Sequence, residues 1–395
     1  MAKAKAFAVR ALLTRLHRTV GLVTAGFLFI AGITGSLIAF WPELDVALNP
    51  ELYRAASAGP HLSPSALAAK VEAAEPRLQV IGMPLRVAPG EAALLTVQPR
   101  NDPATGQPFA LGYDEVFADP ASGAMIGTRL WGACCFERKH LMPFLFTLHN
   151  TLYLPGRWGA WLMGTVALVW LLDCFVAIGL TFPRRQPFLS KWMSSFRLAR
   201  GNVGVGRRTL DLHRVGGLWL WLALVPLAMS GVALNLDAEL FRPLVRAVMS
   251  MSEPPPSRAD ASRAALGFDA VAARAAEEAA ARNWPPPGAV FHNTGEGTYT
   301  VSMTRSQQDR GEGLGPASMM FDAATGALIR AVAPGEGRAG DVFMQVQFPL
   351  HSGRIAGLPG RILICVAGIV VAALSVTGLM MWSRRRRAQL RLRGV

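Results

Sequence analysis

Cysteine, tyrosine and charged residues are all scarce in this chain. Of its 395 residues, 4 are cysteine, 4 are tyrosine and 17% are charged. Cys174 and Cys365 stand alone in apolar segments and Cys134-Cys135 are adjacent, so no spacing typical of a cysteine metal site occurs. The adjacent pair can form a disulfide or remain as two thiols. The cysteines therefore exclude a zinc-type centre as the basis of function.

Acidic residues are absent from three stretches that are rich in Lys and Arg. Residues 1–18 carry five basic side chains, residues 183–208 carry seven, and the tail from Arg384 carries six. The rest of the chain has more acidic than basic residues, although the net charge is +14. Because Lys and Arg accumulate on the cytoplasmic side of membrane proteins, we expect both termini and the middle loop to face the cytoplasm. The charge thus indicates contact with the lipid bilayer and argues against nucleic-acid binding.

Four long apolar stretches hold most of the hydrophobic residues. They are residues 20–40, 158–182, 215–236 and 362–382. Each has about 21 to 25 residues, which at roughly 1.5 Å per residue spans a hydrocarbon core of about 30 Å. We therefore predict four membrane helices. The first run is longer than a typical signal-peptide core, so we expect it to be retained as an anchor.

The two halves of the chain repeat one set of motifs. Leu-His-Arg opens the first and third apolar stretches, at residues 16–18 and 212–214. In both copies a Gly follows the His after four residues and another after eighteen. Phe-x-Leu-His at residues 146–149 and 348–351 precedes the second and fourth stretches, and Pro-Gly-Arg follows each. Four of the seven histidines therefore form two repeat-related pairs.

The polar segments between the apolar stretches also resemble each other. Each begins with an Ala-rich helix, predicted at residues 63–78 and 268–282, and continues into short strands. Each then has an Asp-x-x-x-Gly turn, at residues 119–123 and 322–326. The pattern predicts two small modules that combine helix and sheet.

The apolar stretches, the Leu-His-Arg openings, the Leu-His before Pro-Gly-Arg and the Asp-Gly turns together resemble the PepSY-associated transmembrane helix family. More narrowly, the chain is similar to the iron-regulated members that include dihaem ferric-siderophore reductases of the bacterial inner membrane. The resemblance implies a membrane all-α four-helix bundle, made of two parallel-repeat helix pairs. It also implies an α+β periplasmic domain built from two PepSY-like modules.

The repeats and the charge pattern together predict the order of segments in a multi-pass inner-membrane protein. These segments are residues 1–42 (cytoplasmic N terminus and first membrane helix), 43–156 (first periplasmic PepSY-like module), 157–183 (second membrane helix), 184–211 (cytoplasmic basic loop), 212–236 (third membrane helix), 237–360 (second periplasmic module), 361–383 (fourth membrane helix) and 384–395 (cytoplasmic tail).

The repeated histidines are candidate ligands of haem iron. His17 and His213 open helices predicted to run outward, so they share a depth near the cytoplasmic face, and His149 and His351 share one near the outer face. A haem iron takes one axial ligand on each side of its ring, and two imidazoles in a helical bundle can supply both. We therefore predict two haem b groups. The alternative is that these histidines are polar interface residues without a ligand.

Glycine and arginine residues extend the predicted haem sites. Gly21 and Gly217 lie one turn from the inner histidines, where a missing side chain leaves room for a macrocycle, although close helix packing is an alternative. Arginine pairs well with haem propionates, and anchoring at the membrane surface is the alternative role. The candidate propionate partners are Arg18 and Arg214 at the inner site and Arg157 and Arg361 at the outer site.

Four other residues leave more than one role open. Asp173 is an acid within a membrane helix, which is costly, so we expect it in a proton path, in a pair with an arginine, or in a structural hydrogen bond. His140, His61 and His292 have no counterpart in the other half and are expected to be surface or hydrogen-bonded residues, with His140 the alternative outer ligand. The glycine-rich run at 201–206 has no preceding strand and does not indicate a nucleotide site.

The predicted function is electron transfer across the membrane by a haem-dependent oxidoreductase. The resemblance implies that the periplasmic acceptor is Fe(III) held by a siderophore or another ferric chelate, which is released as Fe(II). No part of the chain is left for a flavin or nicotinamide domain, so the electrons come from a separate cytoplasmic or quinol donor. One alternative is a haem-free, membrane-anchored PepSY module that binds or regulates. Another is a metal or siderophore permease, which is disfavoured because the predicted helices lack the paired broken segments of a transporter.

Overall fold

The structure is a computed structural model of the chain. It describes residues 2–57, 59–135, 137–184, 186–253, 264–305 and 311–392. The α-helices of these residues are α1 Ala2–Ile38, α2 Trp41–Leu48, α3 Pro50–Tyr53, α4 Pro64–Ala74, α5 Arg138–Thr151, α6 Trp158–Thr181, α7 Phe188–Met193, α8 Val205–Trp219, α9 Trp221–Asn235, α10 Arg242–Val248, α11 Phe268–Ala281, α12 Ala339–Ser352 and α13 Gly357–Leu392. The strands are β1 Leu78–Pro84, β2 Ala93–Pro99, β3 Glu115–Ala118, β4 Met125–Arg129, β5 Ala289–Asn293, β6 Thr298–Ser302, β7 Ser318–Asp322 and β8 Leu328–Val332.

The chain divides into two compact units. The helical unit comprises Met1–Phe40, Leu145–Val248 and Val346–Val395, and the sheet unit comprises Trp41–Phe144 and Met249–Gln345. The long apolar helices thus fall in one unit and all eight strands fall in the other. A membrane helical part and an α+β part were both predicted from the sequence.

Three helical segments of the helical unit are long and apolar enough to cross a membrane. They are Ala8–Ile38, Trp158–Thr181 and Arg354–Leu392. Helix α1 packs against α13 and α6, α9 packs against α6, and α8 packs against α13. Large apolar side chains such as Val23 and Leu172 remain exposed on these helices, as expected of surfaces that face lipid.

The third predicted membrane helix differs from the expectation of one straight span. Helices α8 and α9 meet at Leu220 with a bend of 71°, so the chain has a fourth span only if the bent pair crosses as one. Leu220 has φ −98° and ψ 3°, outside the helical region. Gly216 and Gly217 precede the bend and Pro226 follows it. Glycine is a poor helix former and proline lacks the backbone donor, so both weaken the helix on either side.

The sheet unit contains one antiparallel sheet of eight strands in the order β4-β3-β2-β1-β5-β6-β7-β8. Each half is a four-stranded meander, and β1 pairs with β5 to join the halves. Gly82 lies opposite Phe291 at this junction, and an added Cβ would come 2.8 Å from the Phe291 ring. The two predicted modules therefore share a single sheet, and glycine allows the close approach.

Helices α4 and α11 start beside each other and pack on the sheet. The Ser63 hydroxyl caps α4 by accepting from the Ala66 amide at 3.4 Å. The Asp269 carboxylate in the first turn of α11 accepts from the Ser63 hydroxyl at 2.8 Å and from the Ser65 amide at 3.1 Å. Both predicted Ala-rich helices are confirmed, although α4 ends at Ala74, before the predicted residue 78.

The two predicted Asp-Gly turns are also confirmed. The Asp119 carboxylate accepts from the amides of Ala121 and Ser122 at 3.0 and 3.1 Å, and Gly123 has φ +76°. The Asp322 turn repeats this arrangement in the second module. Burial alone would raise the pKa of Asp119, but the backbone donors outweigh it and hold the pKa at about 2.

A buried charge cluster lies in the first half of the sheet unit. The Arg129 guanidinium is paired with Asp45 at 2.8 Å and with Glu115 at 2.6 Å, and all three side chains are almost fully buried. The Tyr53 hydroxyl donates to the same Asp45 oxygen at 2.7 Å. Burial alone would lower the pKa of Arg129, but the two carboxylates raise it, so the guanidinium stays charged.

Cys134 and Cys135 are joined as a disulfide, one of the two states that the sequence left open.

Candidate functional site

Both repeated histidine pairs come together within the helical unit. The ring centroids of His17 in α1 and His213 in α8 lie 6.1 Å apart, with the ring planes at 63°. Those of His149 in α5 and His351 in α12 also lie 6.1 Å apart, with the planes at 60°. We refer to the first pair as site 1 and to the second as site 2.

The spacing in each pair suits a metal ion between two imidazoles. Metal–imidazole bonds of about 2 Å put the centroids of two rings on opposite sides of one metal roughly 6 Å apart. Within the described ranges, no group of three or more His, Cys, Asp or Glu could hold a bare metal ion. Two imidazoles alone leave a metal undercoordinated, whereas in a haem the macrocycle supplies the remaining ligands. The geometry therefore fits haem better than a free ion.

The two sites lie at different levels of the helices. Site 2 contacts α1 at Gly35, where an added Cβ would come 2.9 Å from His149 Cε1. His17 of site 1 precedes Gly35 by eighteen residues in the same helix. Eighteen residues of α-helix rise by about 27 Å, close to the roughly 30 Å of a hydrocarbon core. The repeat thus positions the two pairs about 27 Å apart along α1, a helix long and apolar enough to cross a membrane.

Each of the four histidines has its Nδ1 atom against a side-chain oxygen of a neighbouring helix. The pairs, with their nitrogen–oxygen distances, are His17 with Asp173 (2.8 Å), His213 with Thr377 (3.0 Å), His149 with Thr34 (3.0 Å) and His351 with Ser230 (3.0 Å). All four imidazoles are therefore oriented through the same ring nitrogen.

These oxygens determine which ring nitrogen carries the proton. Thr34, Ser230 and Thr377 donate their own hydroxyl protons to the carbonyl four residues earlier, at 2.7, 2.8 and 2.7 Å. Their oxygens are then available to accept from the imidazole Nδ1–H, as is the Asp173 carboxylate. The Nε2 atom of each histidine keeps the lone pair that a metal requires.

The partners of site 2 occupy equivalent positions in the repeat. Thr34 and Ser230 each come directly before the Gly that follows a Leu-His-Arg histidine by eighteen residues. An added Cβ at Gly231 would lie 3.8 Å from His351 Cε1, and an added Cβ at Gly35 would lie 2.9 Å from His149 Cε1. Both glycines belong to the repeated motif, but neither they nor the hydroxyls were predicted at a site. Their signal in the sequence is the residue-by-residue correspondence of the two halves.

The partners of site 1 are also equivalent. Asp173 and Thr377 each lie eighteen residues after the proline of Pro-Gly-Arg. Thr377 was not predicted, whereas Asp173 had several open roles, and the structure gives it a hydrogen bond to His17. Gly378 adjoins Thr377, and a Cβ there would come 3.7 Å from His213 Cε1.

The glycines predicted beside site 1 are surrounded by space. A Cβ added at Gly21 or at Gly217 would meet no atom within 4 Å. The open space beside both glycines matches the room that a flat macrocycle needs next to the imidazoles. Close helix packing, the alternative for these glycines, does not occur at either position in the described structure.

The two arginines predicted at site 1 differ in their partners. Arg214 donates to Asp211 at 2.9 Å, and this carboxylate is fully buried. Asp211 also accepts from the Ala199 amide at 3.1 Å. Arg18 is half-buried and forms no ion pair with an acid of the described residues. A propionate contact by either arginine stays a prediction.

The two arginines predicted at site 2 contact the helical unit itself. Arg157 is ion-paired with Glu239, which also accepts from the Trp161 indole at 2.8 Å. Arg361 donates from Nε to the Ala39 carbonyl at 2.9 Å and lies over the Phe40 ring. Their role toward propionates likewise stays a prediction.

The three histidines without a repeat counterpart have other environments. His140 is buried with its Nδ1 atom 3.2 Å from the Leu130 carbonyl. His292 stacks on Tyr299 at 4.4 Å, and burial lowers its pKa. His61 is exposed. The expectation of surface or hydrogen-bonded roles is confirmed for His61 and His140, whereas His292 is buried and stacked on an aromatic ring.

Comparison with known families identifies the chain over nearly its whole length. A family model described as the PepSY-associated TM region matches residues 14–385, which include both histidine pairs. No curated protein sequence matches the chain. The repeated motifs, the four apolar stretches and the sheet unit all fall within the matched residues. The protein therefore belongs to the PepSY-associated TM region family.

Proposed function

We propose that this membrane protein is a dihaem oxidoreductase that carries electrons across the bacterial inner membrane to a ferric chelate. The observation that carries the proposal is the duplicated histidine geometry. Both pairs have ring centroids 6.1 Å apart, and all four Nδ1 atoms are hydrogen-bonded so that Nε2 is free for iron. His17 and His213 would hold one haem b, and His149 and His351 the other.

The protein residues determine what the bound groups can do. A haem in each site supplies one-electron chemistry at iron. The two imidazoles of each site would hold one haem, and ligation by two histidines would favour electron transfer over oxygen binding. Thr34, Ser230, Thr377 and Asp173 hold the rings in one tautomer and one orientation.

The charge distribution supports a multi-pass topology with both termini in the cytoplasm. Arg10 donates to the Phe182 carbonyl at the end of α6 at 3.0 Å, and Arg384 lies 3.4 Å from the Thr209 hydroxyl of α8. The basic N terminus, middle loop and tail therefore gather at the site 1 end of the helical unit. By the positive-inside rule this end faces the cytoplasm, with the bent α8–α9 pair as the third span of a four-helix bundle.

The family resemblance supports a ferric siderophore, or another ferric chelate, as the periplasmic acceptor. Hard oxygen ligands hold Fe(III) more tightly than Fe(II), so reduction by one electron releases the metal. The electron comes from a separate cytoplasmic or quinol donor. Resemblance rather than any ligand-specific residue motivates this choice of acceptor.

Optical spectroscopy of purified protein tests the haem sites. We expect low-spin Soret and α bands and two haems per chain, with one haem lost in His17→Ala and the other in His149→Ala. His61→Ala is the control, because this exposed histidine contacts neither site. Bands that survive in the His17→Ala, His149→Ala double variant would refute the assignment. A wild-type protein without these bands would favour the haem-free PepSY module instead.

A further inference from the structure

One histidine of the four differs from the others in its partner. The Nδ1 atoms of His213, His149 and His351 face hydroxyl groups, whereas that of His17 faces the Asp173 carboxylate. The repeat makes the comparison direct, because Thr377 occupies the position of Asp173 in the other half. The two sites are thus alike in geometry and unlike in charge.

Among the described residues, the Asp173 carboxylate has His17 as its hydrogen-bond partner. Asp173 is 8% exposed in the apolar helix α6, and its Oδ2 atom lies 2.8 Å from His17 Nδ1. Its Oδ1 atom has no hydrogen-bond partner among the described residues. An acid in such a helix is costly, and Thr377 demonstrates that the fold accepts a neutral residue at the equivalent position. A structural role alone therefore does not account for a carboxylate here.

We propose that Asp173 lowers the reduction potential of the haem at site 1 and so makes the two haems inequivalent. A carboxylate that accepts from Nδ1–H makes the imidazole a stronger electron donor to iron, which stabilises the ferric state. A hydroxyl acceptor stabilises the ferric state less than a carboxylate does. Asp173 is a positioning and tuning residue, since it acts on the iron through His17. The proposal rests on the haem ligation of the proposed function.

The inequivalence gives the electron path a direction. With a lower potential at site 1, electron transfer from a haem held by His17 and His213 to one held by His149 and His351 would be favourable. The separate donor would supply the electron at site 1, and the ferric chelate would accept it at site 2. Under the proposed topology this direction is outward.

Redox titration of the purified protein, followed in the α band, tests the proposal. We expect two components in the wild type, and the lower one is expected to rise in Asp173→Asn and in Asp173→Thr. Asn keeps an oxygen acceptor for Nδ1–H and removes only the charge. The matched control is Thr34→Asp, which gives His149 a carboxylate and is expected to lower the other component.

A swap variant separates tuning from a structural role. In Asp173→Thr combined with Thr377→Asp, the carboxylate contacts His213 on the opposite side of the same haem, so we expect the lower potential to return. A role in packing α6 would not be rescued from α13. The proposal is overturned if both haems are retained in Asp173→Asn with unchanged potentials, or if Asp173→Asn loses the haem of site 1. Absence of haem from the wild type is a different result, which removes the proposed function itself.

Discussion

At the scale of single residues, small polar side chains of neighbouring helices orient the imidazoles. Thr34 illustrates the principle, because its hydroxyl donates to the Ile30 carbonyl and its oxygen faces His149 Nδ1. Its position in an apolar helix does not reveal this second contact, since Thr in helices commonly bonds its own backbone. The sequence predicted the four histidines as candidate ligands because they lie in duplicated motifs. It did not predict their partners, which depend on how the helices pack.

Replacing Thr34 by Val removes the hydroxyl acceptor of His149 with little change of shape and leaves the Ala31 carbonyl, 3.1 Å from His149 Nδ1, as the remaining acceptor. We expect the affinity of site 2 for haem to fall by about 10 to 100-fold, as for other residues that orient a metal ligand. Haem titration of the apoprotein measures the change. The control is Thr24→Val, because Thr24 is buried in the same helix and bonds the Val20 carbonyl. Equal losses in both variants would contradict the role of Thr34.

Gly35 gives a second test at this scale. A Cβ there would come 2.9 Å from His149 Cε1, closer than real side chains approach, so Gly35→Ala must displace the imidazole. We expect Gly35→Ala to lose the haem of site 2 and keep that of site 1. Gly26→Ala in the same helix is the control, because its Cβ meets no atom within 4 Å. The haem-to-protein ratio measures both, and full occupancy in Gly35→Ala would rule out the contact.

At the scale of elements, local signals predicted more than long-range ones. The Ala-rich helices and the Asp-Gly turns were predicted because their caps and turn residues act within a few positions. The bend at Leu220 was not, since hydropathy measures length and apolarity but not direction. The pairing of β1 with β5 was also not predicted, because these strands lie about 200 residues apart in the sequence and only the folded sheet relates them.

The buried ion pairs of Arg129 link strand β4 to strand β3 and to helix α2. Arg129→Met would leave Asp45 and Glu115 buried without their counter-charge, so we expect the free energy of unfolding to fall by about 3 to 5 kcal/mol. Arg138→Met is the control, because its ion pair with Glu51 is exposed and should contribute about 0 to 1 kcal/mol. Denaturant unfolding followed by Trp fluorescence compares them. Equal losses would show that the cluster contributes no more than a surface pair.

The Asp119 turn gives the sheet unit a defined acid sensitivity. The folded-state pKa of about 2 lies below the ordinary value of 3.8, so the ionised carboxylate stabilises the fold above that value. The contribution is lost as the pH falls from about 4 toward 2. We expect Asp119→Asn to be less stable than wild type at pH 6 and to lose less stability on acidification to pH 3. Thermal unfolding at both pH values measures this, and parallel losses would contradict it.

At the scale of the whole molecule, the duplication places the two sites at two levels of α1, one at His17 and the other beside Gly35. A single site would serve only one surface of the membrane, because the two levels of α1 are separated by about 27 Å of helix. The proposed path therefore needs both pairs, and it needs them in series. Variants that lack one site keep the other haem and still cannot complete the path.

Vectorial electron transfer tests this dependence directly. In proteoliposomes with a reductant on the site 1 side and a ferric chelate on the site 2 side, we expect wild type to form Fe(II), measured with a chromogenic chelator. His213→Ala and His351→Ala are each expected to abolish the signal, because each removes an axial ligand from a different level, whereas His61→Ala should retain it. Fe(II) formation at the wild-type rate in either variant would mean that the altered site is not on the electron path.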